Sequence, residues 1–367
     1  RTIGERLGMS PEAIDLLVFL VSEHLRMAHI SQRRDLNDPD LIADFARSVR
    51  SQRNLTFLTL LTAADMRSVG PGVFTDWKGR LLRELYERTA QWIAQPRGIP
   101  SPLAAAAARR REVFERLTAT GVHPPAEIRA FLDSLSDRYF LLNEPESVID
   151  HFTILSEMGE KAVRLRHTGR GEDEIVVHTR NHPGRLALIT GLMAACGLHI
   201  RSAQINTRED GTILDLFQLQ PHDHLDLAFA RFRERIEPVL AGTLDVERLL
   251  EKRRATYPEK RPPLASRLKK NEVVVDNETS RIFTVIEVIA QDRTGLLYTI
   301  TQALAELGLD IHLAKIATEV DQAVDVFYVR EVTGKKVSGP QREGEIRQHL
   351  LAALASEEGG IKTKERP

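Results

Sequence analysis

Through the first part of the chain, apolar residues recur at three- and four-residue steps. Ile14, Leu17, Val18, Val21 and Leu25 follow this spacing, as do Leu55, Leu58 and Leu61, and then Leu81, Leu82 and Leu85. Side chains so spaced share one face of a helix, and the pattern predicts an all-α region from Pro11 to about Met158. Punctuation agrees. Ser10-Pro11-Glu12 reads as a cap followed by proline at the first helical position, and Asp38-Pro39-Asp40 repeats the device before Leu41. Gly70-Pro71-Gly72 breaks the helical pattern. The run Leu103 to Leu117, with five consecutive alanines and Arg109-Arg110-Arg111, reads as a mostly exposed connecting helix with its arginines in solvent.

The periodicity changes after a Gly-rich, charged joint at Arg166-His167-Thr168-Gly169-Arg170-Gly171. Glu174 to Thr179 is β-rich. Asn181-His182-Pro183-Gly184 makes a turn, and Leu186, Ile189, Met193 and Cys196 return to helical spacing. Strands are predicted from His199 to Thr207 and from Thr212 to Leu219, joined at Glu209-Asp210-Gly211, since Asp-Gly between apolar runs is a strong hairpin signal. A helix is predicted from Leu225 to about Ile236, stopping near Pro238, with another from Leu244 to Arg253. Tyr257 to Lys270 reads as a basic loop, and Glu272 to Asp276 as a further strand.

An internal repeat ties these elements together. An offset of 111 residues carries Gly184 to Gly295, Leu186 to Leu297, Ile189 to Ile300, Gly197 to Gly308, Ile200 to Ile311, Ala203 to Ala314 and Thr207 to Thr318. Past the hairpin the offset becomes 110, placing Asp215-Leu216-Phe217 on Asp325-Val326-Phe327. Two tandem βαββαβ modules follow, each expected as a four-stranded antiparallel sheet with helices on one face. The fold class is therefore α+β and multidomain.

Composition narrows the chemistry. The 367 residues exceed one ordinary domain, and 42% hydrophobic with 28% charged residues suits globular units with real cores. Fifty-one Lys and Arg against 52 Asp and Glu leave a net charge of -1, so no global field draws the chain to nucleic acid or membrane. The clusters Lys252-Arg253-Arg254, Lys260-Arg261 and Lys269-Lys270 read as a solvated linker, and no nucleic-acid or membrane partner is expected. Cys196 is the sole cysteine, which excludes an intramolecular disulfide and a thiolate-rich zinc site and fits the cytoplasm. Arg1-Thr2-Ile3-Gly4-Glu5 has neither an initiator Met nor an apolar signal region, so a fragment of a longer protein is expected.

The repeated turn is the first candidate site. Unpaired N-H groups and the positive end of the macrodipole at a helix start suit a ligand carboxylate, here at Gly184-Arg185 or Gly295-Leu296. Asp292 is placed to accept from an α-ammonium, and Asn181 to do so as a neutral acceptor. The same residues also suit a plain turn and cap. The module, with Asn181-His182-Pro183-Gly184-Arg185-Leu186 or Asp292-Arg293-Thr294-Gly295-Leu296-Leu297 opening its first helix, resembles the ACT domain, an amino-acid-sensing unit. The resemblance implies allosteric ligand contacts at Asn181, Pro183, Gly184, Arg185, Asp292, Thr294, Gly295 and Leu296.

Taken whole, the chain is similar to the GlnD family of bifunctional uridylyltransferase and uridylyl-removing enzymes. The helical stretches Glu23-His24-Leu25-Arg26-Met27 and Leu61-Thr62-Ala63-Ala64-Asp65-Met66, followed by two ACT modules, carry that resemblance. It implies an HD-like helical region at 1–165, ACT modules at 173–278 and 281–358, and a tail at 359–367. It further implies glutamine as effector, the nitrogen regulatory protein PII as partner, and a divalent metal, Mg2+ or Mn2+, that activates water for phosphodiester cleavage. His24 and Asp65 match metal-ligand positions of that family. The His-Asp doublet and the nucleotidyltransferase region belong upstream in the family. His222-Asp223-His224 lies in a loop after a strand and is no substitute. No catalytic residue is assigned, and this chain alone is expected to be inactive or very weak. The competing reading is a non-enzymatic amino-acid-binding regulator whose helical half docks a partner.

Overall fold

The computed structural model describes every residue except 35, 37–38, 69–73, 75, 95–101, 159–162, 168–172, 221–222, 258–270, 279, 281, 317, 320–321 and 359–367. The expected break at Gly70-Pro71-Gly72, the glycines of the joint after Arg166, the basic loop beyond Tyr257 and the tail at 359–367 lie outside the described residues. Up to Met158 the chain forms α1 (Thr2–Arg6), α2 (Pro11–Arg33), α3 (Pro39–Val49), α4 (Gln52–Ser68), α5 (Asp76–Ala94), α6 (Pro102–Thr120), α7 (Pro125–Asp133), α8 (Asp137–Leu142) and α9 (Pro145–Met158). Two compact units result: Arg1–Glu112 with Asp137–Glu144, and Val113–Ser136 with Pro145–Pro367.

In the first unit α2 to α5 enclose a core of Met27, Ile30, Leu36, Phe45, Leu55, Leu58, Leu82 and Leu85. Ser10 caps α2 as expected, its hydroxyl accepting from the Ala13 amide at 3.3 Å with Pro11 at the first helical position. The buried face of α2 differs from the expected one. Leu17, Val18, Val21 and Leu25 are exposed, whereas Met27 and Ile30 are buried and Phe19 and Leu20 pack on the core. From Ala13 to Val21 the helix is apolar nearly all round, so spacing alone selects no face.

Helix α6 is mostly exposed, as expected, with Ala106, Val113 and Leu117 buried, but two of its arginines do not stand in solvent. Arg109 donates to the carbonyls of Phe140, Leu141 and Asn143, which end α8, and Arg110 lies over the Phe140 ring and pairs with Asp137 at 3.1 Å. The last carbonyls of a short helix have no internal donors, and an arginine with its many N-H groups satisfies several together.

The second unit adds β1 (Val163–His167), β2 (Asp173–Arg180), α10 (Arg185–Cys196), β3 (Ile200–Gln204), β4 (Thr212–Leu219), α11 (Leu225–Leu240), α12 (Val246–Thr256), β5 (Glu272–Asp276), β6 (Thr284–Gln291), α13 (Leu296–Glu306), β7 (Leu309–Lys315), β8 (Thr318–Glu319), β9 (Gln322–Glu331) and α14 (Pro340–Glu358). Pro238 does not stop α11 but sits inside its last turn, where the missing N-H costs a single intrahelical bond.

Two β-rich modules packed with helices are present, merged into one continuous antiparallel sheet of order β1-β2-β4-β3-β7-β9-β6-β5 with β8 on β9. The closing strand of each module comes before its core strands and not after: β1 pairs with β2, and β5 pairs with β6. This corrects the expected βαββαβ order to ββαββα. Strands adjacent in sequence pair readily as antiparallel neighbours, so the five residues of β1 are taken up by β2.

The modules join through β3 and β7, and the repeat becomes a geometric symmetry there. Ala203 faces Ala314, its own equivalent at an offset of 111, in the strand register. The Ile205 amide donates to the His312 carbonyl at 3.2 Å and the Ile316 amide to the Arg201 carbonyl at 3.0 Å, which are the same bond exchanged between modules. Thr190 and Thr301, also 111 apart, meet hydroxyl to hydroxyl at 3.2 Å between α10 and α13. A pseudo-twofold axis therefore passes through both pairs.

One face of the sheet carries a shared core that includes Ile175, Val177, Leu192, Phe217, Phe232, Ile286, Ile300, Phe327 and Leu350. Glu174 projects to the opposite face, because alternate strand residues point to opposite sides. There His151 of α9 meets it at 2.9 Å, and Arg208 donates to the Ser134 hydroxyl after α7 at 2.9 Å.

Candidate functional site

Each module places a left-handed glycine at the start of its first helix, Gly184 at φ +76 before α10 and Gly295 at φ +89 before α13. L-residues avoid that conformation, so the glycine is required by the strand-to-helix turn itself. The turns are further closed by the Arg185 amide donating to the His182 carbonyl and the Leu296 amide to the Arg293 carbonyl, at 3.0 and 3.1 Å.

The second turn opens into a cavity of about 230 Å³ that brings together Asp292, Thr294, Gly295 and Leu296. Sequence reasoning missed the rest of its polar wall. His199 and Gln220 arrive from the first module, Arg253 from α12, and Asp325 from β9. The signal for Asp325 was present: an aspartate at an inward-facing position of an apolar strand, retained in both repeats. Its equivalent Asp215 is fully buried and accepts from the Asn206 amide at 3.1 Å. Burial pushes the Asp215 carboxyl up to about 8, despite that bond.

The first turn has different surroundings. Pro183 and Arg185 border a cleft of about 600 Å³ with Gly242, Asp245 and Tyr298. Arg185 donates to the Leu240 carbonyl at the end of α11 at 3.2 Å, while the Asn181 amide side chain reaches Thr207 at 3.5 Å. No described side chain comes within 4 Å of the Cβ position of Gly184, whereas Arg254 Nη2 lies 2.9 Å from that of Gly295. Arg254 Nε donates to the Thr294 carbonyl at 3.0 Å. Lys252-Arg253-Arg254 is thus part of α12 and not a solvated linker; two of its arginines turn onto the modules.

In the first unit His24 Nδ1 is 2.9 Å from the Val21 carbonyl. A carbonyl only accepts, so Nδ1 carries a proton and donates to it. Nε2 faces Asp65 Oδ2 at 3.9 Å. An imidazole nitrogen beside a carboxylate oxygen is donor chemistry that a divalent ion takes, but such sites use at least three protein donors. Among the described residues no group of three or more His, Cys, Asp or Glu is arranged to hold a metal. The pair fits part of a site. Likewise, no helix among the described residues is long and apolar enough to cross a membrane.

A family model described as an ACR9-like, ACT-like domain matches residues 272–357, the second module. Nearly the whole chain aligns with curated bifunctional uridylyltransferase/uridylyl-removing enzymes. Identity is 34% over 370 residues with that of Gluconobacter oxydans, 33% over 364 with that of Rhodospirillum rubrum and 34% over 371 with that of Bradyrhizobium diazoefficiens. The chain is GlnD-like, and its second module is ACT-like. The alignments cover 96–97% of the GlnD-like chain but 38% of each relative's length.

Proposed function

We propose that this GlnD-like chain is the glutamine-sensing regulatory part of a PII uridylyltransferase/uridylyl-removing enzyme. The observation that carries the proposal is the pair of glycine turns on one pseudo-twofold sheet. Each starts a helix beside a cavity with room for a small zwitterion, in a chain that aligns along its length with enzymes of that name. A ligand carboxylate docks at the helix start, where N-H groups and the dipole favour an anion. Asp292 accepts from the α-ammonium, and Gln220 and His199 face the side chain.

Glutamine biases the enzyme only through unequal affinity for two arrangements of the chain. The shared β3–β7 junction supports that kind of coupling, because a shift at one turn is carried by the same backbone ladder to the other. In the complete enzyme the effector shifts the balance between uridylylation of PII and hydrolysis of its uridylyl group. His24 and Asp65 would contribute two donors to a divalent ion, Mg2+ or Mn2+, which when bound would supply positive charge to a phosphodiester. The Val21 bond holds the His24 ring with Nε2 turned toward Asp65.

Isothermal titration with glutamine, with glutamate and alanine as controls, tests the proposal. Selective saturable binding is expected, weakened in Gly184→Trp and in Gly295→Trp proteins that remain folded. Absence of binding by folded wild-type chain contradicts it.

A further inference from the structure

The two turns are related by the repeat, yet among the described residues the second has distant side chains against its glycine and the first does not. A glycine at a helix start leaves room for a ligand to approach the backbone closely. At Gly295 that room holds the Arg254 guanidinium, with Nη2 2.9 Å from the Cβ position and Leu250 at 3.4 Å, while at Gly184 no described atom from beyond its own turn lies within 4 Å. Arg254 is also fastened through Nε to the Thr294 carbonyl at 3.0 Å. Its neighbour Arg253 reaches the other module, with its guanidinium 2.7–3.0 Å from the Cβ position of Gly197 at the end of α10. At its other end α12 lies against α10, Val246 being 2.6 Å from the Cβ position of Gly191. The helix that links the modules therefore lies along both of them and ends on the second turn.

We propose that α12 is a displaceable strap and Arg254 a tethered plug of the second turn, so that the two sites fill unequally: the first glycine is clear, whereas a ligand in the cavity beside the second turn reaches Gly295 and the Thr294 carbonyl only when Arg254 leaves. The inference rests on the amino-acid-sensing reading of the turns. Its physical basis is competition for the same groups. The α-ammonium of an amino acid is a donor seeking the Thr294 carbonyl that Arg254 occupies, and the close approach beside Gly295 accommodates one group at a time. The plug is also easily lifted. A guanidinium beside the positive end of a helix has the wrong sign for that place, whereas the ligand carboxylate has the right one. Once displaced, Arg254 releases the last turn of α12 and the Tyr257 that follows it, over whose ring Arg253 is stacked at 5.0 Å. Occupancy of the second turn is thereby converted into movement of the segment that joins the modules.

Glutamine titration of wild-type chain, Arg254→Ala and the control Arg248→Ala tests this, since Arg248 is 86% exposed. Losing one hydrogen bond that ligand must break is expected to tighten binding at the second turn about two- to tenfold in Arg254→Ala. Arg248→Ala is expected to match wild type, and melting temperatures establish that each variant is folded. Hydrogen exchange at residues 250–257 is expected to rise when glutamine is added to wild type. Binding that appears in Arg254→Ala but not in wild type overturns the unequal filling, because the open first turn is expected to bind in wild type. Equal binding in wild type and Arg254→Ala overturns the plug and leaves the sensing reading standing, as does weaker binding in the variant. Absence of binding in both overturns the two together.

Discussion

The Asp215 carboxyl is buried out of water. A carboxyl raised to about 8 is protonated in the folded chain at pH 7, while in the unfolded chain it ionises near its ordinary 3.8. Between these values the unfolded state binds fewer protons, so stability falls as pH rises through this window and levels off above the folded value. Asp215→Asn, which has no charge to gain, is expected to lose less melting temperature than wild type between pH 5 and pH 8; identical pH profiles would contradict the assignment. Glu174 behaves in the opposite sense. Burial acts to raise its carboxyl, but the hydrogen bond and charge of His151 together with Arg166 outweigh burial and hold it below its usual range. Its contribution is present above the ordinary carboxylate range and is lost as pH falls through the lowered value. His151→Ala leaves a buried carboxylate with Arg166 alone and is expected to cost about 3–5 kcal/mol in denaturant unfolding at pH 7.

At the scale of elements the decisive feature is the β3–β7 junction. Ile205 and Ile316 supply equivalent amides to it, so Ile205→Pro and Ile316→Pro each remove one donor and strand one carbonyl. Each is expected to destabilise by about 1–3 kcal/mol and to raise hydrogen exchange along both β3 and β7. A large effect from one and none from the other would break the pseudo-twofold. The elements themselves were legible because the 111-residue repeat fixes helix against helix and strand against strand. The order of the edge strands was not, since β1 and β5 are five-residue runs whose partners only the assembled sheet decides. Nor was the buried face of α2, where apolar residues surround the helix, or the place of Arg254, whose acceptor Thr294 lies 40 residues further on. The turns at Gly184 and Gly295 were legible from glycine at the strand-to-helix step; the walls of their cavities come from distant segments and carry no local pattern.

For the whole molecule the consequence is a division of labour. The second unit combines both turns, both modules and α12 in one sheet-bound body, and the first unit holds the His24–Asp65 pair. Amino-acid binding is therefore expected to leave its largest signature within the second unit. Hydrogen exchange of the intact chain with and without glutamine measures this most directly. Protection confined to residues 181–188 and 292–299, with glutamate giving less, is the result the account predicts. A folded chain whose exchange at both turns is unchanged by saturating glutamine would contradict it.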